Sequence, residues 1–169
     1  MNRKRNLIAF IIIGIVGTLG HFVYDWSGKN DFLGLFFPIS ESIWEHLKLL
    51  FFPTVIYSVF EYFFMKRKPK NYFFATFVSL IFGLFTIVTL YYLYTGVLGK
   101  NIGFIDISLF FIGIVAMLFS KTKIINKKYA SGILPNLVAI AITILLGVLL
   151  IVYSYNPPSL GIFLPPLPV

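Results

Sequence analysis

Residues Ser40 to Lys68 read SESIWEHLKLLFFPTVIYSVFEYFFMKRK. Glu41, Glu45, His46 and Lys48 crowd around Trp44 at the head of this stretch, an apolar run follows, and Lys66, Arg67 and Lys68 close it. A run of about 20 mostly apolar residues is what crossing ~30 Å of hydrocarbon requires. The segment from about Ser42 to Met65 is therefore predicted to be a membrane-crossing helix. It carries more ionisable groups at its entrance than crossing a membrane demands.

The same pattern recurs on either side. Further spans are predicted at about Leu7 to Tyr24, Tyr72 to Val97, Phe104 to Ser120 and Ile133 to Tyr155. The 169 residues are 59% hydrophobic and only 12% charged, against roughly a quarter charged in soluble domains. A soluble chain of this size could not hide that much apolar surface. The predicted fold is an all-α, single-domain integral membrane bundle of five helices in the lipid bilayer of a bacterial cytoplasmic membrane. Residues 156–169 follow as a proline-rich apolar tail, predicted to fold over the outer mouth. The opening MNRKRN and the apolar run behind it imitate a secretory signal. No small-residue cleavage site stands near Gly20-His21-Phe22, so the first helix is expected to be retained.

The formal charge of +8 would suggest nucleic acid in a soluble protein, but here it reports topology. Arg3, Lys4, Arg5, Lys66, Arg67, Lys68, Lys70, Lys121, Lys123, Lys127 and Lys128 all fall on one side of a five-span chain, whereas Lys29, Lys48 and Lys100 fall on the other. The positive-inside rule puts the amino terminus in the cytoplasm and the carboxyl terminus outside. Five of the six acids, Asp25, Asp31, Glu41, Glu45 and Asp106, gather on the outer side. Glu61 alone lies toward the basic side, where a local ion pair with nearby Lys66 is expected. Nucleic acid is excluded as a partner. The absence of cysteine excludes disulfides and thiolate chemistry.

In the first span Gly14, Gly17, Thr18, His21 and Asp25 share one helical face. Small residues on such a face let a neighbouring helix come close, so His21 is expected to face protein. At the second span Ser42 and Glu45 fit a capping box, with Ser42 as N-cap. Glu41 and Glu45 would share a face if that helix extended back to Glu41, and Glu45 can pair with Lys48 three residues on. The candidate pocket is His21, Asp25, Glu41, Glu45, His46 and Lys48, with Asp106 at its edge. Ionisable groups inside a span mark functional sites by default. Within this set His21, Glu45 and His46 have the chemistry to hold a divalent metal ion such as Zn²⁺ with one position open to water. Pro53 is expected to kink the second span and free a carbonyl toward the bundle.

The segments GTLGHFVYDWSGKN (17–30), FFPISESIWEHLKLLFFP (36–53), DIS (106–108) and NPP (156–158) resemble a family of small bacterial multi-pass membrane proteins known only as a domain of unknown function. Its pattern is His-Phe, then Tyr-Asp-Trp, then Glu-Ser-x-Trp-Glu-His-Leu-Lys, carried here by His21-Phe22, Tyr24 to Trp26 and Glu41 to Lys48. The resemblance implies the membrane bundle and supplies no activity, substrate or cofactor. Three functions are compatible with these residues. The first is an outward-facing polar pocket binding a small polar ligand or ion, in a transporter component or accessory subunit. The second is a metal-assisted or acid/base enzyme acting on a lipid headgroup, with Glu45 as base and His21 and His46 as ligands. The third is a structural protein packing on a membrane partner, or on a second copy, through its glycine faces.

Overall fold

The structure is a computed structural model that describes residues 3–166. Five long helices carry the fold: α1 (Arg3–Trp26), α3 (Ile43–Phe64), α4 (Tyr72–Leu98), α5 (Gly103–Lys127) and α6 (Ile133–Tyr155). A one-turn helix, α2 (Asp31–Gly34), lies in the loop between α1 and α3, and a 3₁₀ turn, Gly161–Phe163, lies in the tail. All five long helices are long and apolar enough to cross a membrane. The chain is an all-helical, multi-pass membrane protein.

Helix α3 is the axis. Half of its most apolar window is buried (50%), against 17% for α6, and it touches α1, α4, α5 and α6. Each long helix sends a side chain to a shared core: Ile13, Leu50, Leu80, Ile114 and Leu150 are all at most 1% exposed. The outward faces stay apolar, with Phe60, Phe64, Phe85 and Leu145 among many exposed large side chains. Such an exterior suits hydrocarbon, where no hydrophobic effect drives helices together and close packing must hold them instead.

That packing depends on small residues at two crossings. A Cβ on Gly17 would stand 2.7 Å from the Leu49 carbonyl oxygen and 2.4 Å from the Phe110 ring. Leu49 is four residues before Pro53, whose ring nitrogen has no hydrogen to give that carbonyl. The helix nonetheless runs unbroken through Pro53, and Gly17 brings the α1 backbone against the freed oxygen. At the second crossing a Cβ on Gly83 would lie 3.0 Å from the Gly113 carbonyl oxygen, so α4 and α5 also meet backbone to backbone.

The basic clusters lie together at one end of the bundle and most acids at the other. Asn136 at the start of α6 accepts from the amides of Phe73 and Phe74, capping α4 from another helix. Asn71 donates to the carbonyls of Ile124 and Tyr129 at the end of α5. Helix α5 runs seven residues past its expected end at Ser120. Lys121 is therefore not a loop charge: it is 3% exposed, and its ammonium lies 3.2 Å from the Glu61 carboxylate. This corrects the expected Glu61–Lys66 pair, because helix α3 ends at Phe64 and the chain turns away while α5 passes alongside. The Tyr72 hydroxyl donates to the same Glu61 oxygen at 2.5 Å, and Lys121 also donates to the Ser58 hydroxyl at 3.3 Å.

At the other end the tail returns onto α3. Phe163 packs 4.7 Å from the Trp44 ring and 5.5 Å from that of Tyr153. Trp44 is half-buried in this aromatic group. The last three residues of the tail, 167–169, lie outside the described residues.

Candidate functional site

Local chain geometry aims the polar head of α3. Ser42 is extended (φ −69°, ψ 152°) and its hydroxyl accepts from the Glu45 amide, as an N-cap does. Because the helix starts only at Ile43, Glu41 belongs to the loop and cannot share a helical face with Glu45. The two carboxylates part company there. Glu45 turns inward, 2% exposed, and accepts from the Ile39 amide at 2.9 Å rather than closing a capping box on Ser42. Lys48, fully buried, meets it at 3.0 Å and donates to the carbonyls of Gly34 at 2.9 Å and Phe37 at 3.5 Å. Glu45 and Lys48 thus bind the α1–α3 loop to α3 and leave the pocket.

Glu41 swings the other way, over two imidazoles. One carboxylate oxygen lies 3.5 Å from His46 Nε2 and 3.7 Å from His21 Nε2, and the two Nε2 atoms are 3.1 Å apart. His46 Nδ1 sits 2.8 Å from the Ser42 carbonyl. A carbonyl only accepts, so Nδ1 carries the hydrogen and the neutral ring presents a lone pair at Nε2. This backbone clamp on the far nitrogen is the usual support of a metal-binding histidine. The three ligand atoms all lie within 4.8 Å of one another. Two nitrogens sharing one tetrahedral zinc at ~2.05 Å would be about 3.3 Å apart, close to the spacing here. The donor set therefore fits a divalent transition metal. The carboxylate that meets the two histidines is that of Glu41, whereas Glu45, expected beside them, is paired with Lys48.

These three residues form one wall of a cavity of about 520 Å³, within the range of small-ligand sites. Asp106, in the first turn of α5, also lines it, and its carboxylate accepts from the Tyr94 hydroxyl. That hydroxyl in turn accepts from the Ile102 amide at 3.1 Å. Leu49, Ile87, Phe110 and Pro166 of the tail add to the lining. His21, Glu41, His46 and Asp106 thus share the cavity, whereas Glu45 and Lys48 lie behind it. Asp25 is exposed at the end of α1 and takes no part in the lining. Thr18 borders the cavity from the glycine-rich face of α1.

Two groups of functional interest escape the sequence reading. Tyr94 looks like an interfacial tyrosine, yet it orients Asp106 twelve residues away. The Glu61–Lys121–Tyr72 network could have been signalled by Glu61 being the one acid at the basic end, an isolated charge that a span would not tolerate unpaired.

No curated protein and no solved structure matches the chain. A family match extends over residues 1–167, almost its full length, and on that ground the chain belongs to the Family of unknown function (DUF6512).

Proposed function

We propose that the protein stands with its basic end in the cytoplasm and binds a small cation from the outer side. The ion is a divalent transition metal such as Zn²⁺, held by Nε2 of His21, Nε2 of His46 and a Glu41 oxygen, in a transporter component or accessory subunit. The convergence of two Nε2 atoms to 3.1 Å beneath a carboxylate, on the wall of a cavity, carries this reading. Such a set leaves a fourth position facing the cavity, where water or a small polar ligand would complete the coordination. Asp106 adds negative charge to the same cavity.

The hydrolytic alternative needs a general base within reach of that position. Glu45, first in line for the role, is engaged by Lys48 and the Ile39 amide. The ion-binding reading requires no such group. The structural-partner reading needs free glycine faces, but Gly14, Gly17 and Gly20 of α1 are buried against Phe111, Phe110 and Phe37.

Calorimetric titration of metal-depleted protein in detergent tests the proposal. One Zn²⁺ per chain is expected, with binding abolished in His21→Ala and in His46→Ala. Glu41→Gln should weaken it about tenfold or more, since even groups that only support a ligand cost that much when lost. Affinity should fall on acidification, because protons compete for the imidazole lone pairs. Unchanged binding in both histidine variants would leave a plain hydrogen bond between two rings. Orientation is tested separately in this cysteine-free chain: Lys29→Cys should be labelled from outside intact cells, and Lys68→Cys only after lysis.

A further inference from the structure

A second cavity opens between α1 and α3 toward the basic end. It holds about 440 Å³. Ile12, Val16, Ile56 and Phe60 make its walls, and two charged residues, Arg5 and Glu61, stand in its upper part. From Arg5 to Val16 the groove follows eleven residues of helix, about 16 Å at the α-helical rise. That is close to one leaflet's share, ~15 Å, of the hydrocarbon core.

The charged residues are not spent on each other. Glu61 gives one oxygen to Lys121 and Tyr72, while its other oxygen is buried with no hydrogen-bond partner. The side chain is only 7% exposed, so this oxygen is an acceptor held beside the groove and sheltered from water. Leaving such an acceptor unmatched in a sheltered site is unfavourable, and a ligand donor would remove that penalty. Arg5 makes no ion pair among the described residues. A guanidinium and a buried carboxylate oxygen still lacking a donor, at the end of an apolar slot one leaflet long, complement one kind of molecule.

We infer that this groove binds a phospholipid carrying a primary ammonium, the phosphoethanolamine headgroup, from the leaflet at the basic end. Its phosphate pairs with Arg5, its ammonium donates to the free Glu61 oxygen, and an acyl chain fills the slot between α1 and α3. A choline headgroup has no N–H to donate. A glycerol headgroup brings no positive charge to the carboxylate. The inference does not depend on the metal site at the other end.

Native mass spectrometry of the detergent-solubilised protein with equal phosphatidylethanolamine, phosphatidylcholine and phosphatidylglycerol tests it. Phosphatidylethanolamine should be retained about tenfold over either competitor, the worth of one charge-assisted hydrogen bond. Arg5→Ala should lower that retention about tenfold, and Glu61→Gln should bring ethanolamine and choline lipids to near parity. Since Glu61 also belongs to a buried ion pair, Val16→Trp provides an independent check. It fills the slot without touching a charge, and should expel the lipid while leaving Zn²⁺ titration at the acidic end as in the parent. Equal retention of all three lipids, preference for the anionic glycerol lipid, or unchanged retention in Arg5→Ala would overturn the inference.

Discussion

Helix α3 carries two buried glutamates, one near each end, and each meets a buried lysine. Glu45 takes Lys48 from its own helix, three residues along. Glu61 takes Lys121 from α5, sixty residues away. The partners differ, and so does what the pairs hold. The first gathers backbone groups of the preceding loop, Gly34, Phe37 and Ile39, and so sets the ledge from which Glu41 reaches the histidines. The second joins α3 to α5 and, through Tyr72, to α4. Buried pairs seldom add net stability over a well-packed apolar replacement, but breaking one strands a charge. One pair shapes a site; the other fastens a bundle.

That contrast can be broken by single substitutions. Lys121→Met should have the largest effect, a loss of about 3–5 kcal/mol in reversible unfolding in detergent, because Glu61 is left charged among three helices. Most of it should return in the double variant with Glu61→Leu; a double variant as unstable as the single would show that packing, not charge, is at work. Lys48→Met should cost less, about 2–3 kcal/mol, since the loop it holds can open and let water reach Glu45. Its signature should be local: faster proteolysis within residues 27–42 and weaker Zn²⁺ binding, with the helices intact. Global unfolding without loop cleavage would erase the distinction between the ends.

Smaller effects sharpen it further. Asn136→Ala removes the acceptor for two first-turn amides of α4 and should cost about 1–2 kcal/mol, the range of a lost helix cap, without altering metal affinity. Asp25→Asn should change stability by less than about 0.5 kcal/mol, as exposed positions do, and leave Zn²⁺ binding as in the parent. A tenfold loss of affinity there would bring Asp25 back into the site.

The legible parts of the molecule are those written locally. Ser42 announces its cap because the bond spans three residues. His21 is placed toward protein by glycines on its own helical face. Whether Glu41 joins Glu45 on a helical face turns on where the helix begins, and with Ser42 as the cap Glu41 leaves the backbone from the loop in another direction. Lys121 was counted as a loop charge because its neutralising partner lies on a helix remote in sequence. A charge tally cannot distinguish a lysine facing water from one facing a carboxylate.

Hydropathy and run length in the sequence were enough to establish five membrane-length helices, because expulsion of apolar residues from water is a property of each segment taken alone. Which carboxylate faces the imidazoles, which acid neutralises Lys121, and that one Glu61 oxygen is buried without a donor were decided only in the folded bundle. Those outcomes depend on distances of 3 to 4 Å between segments that no local rule relates.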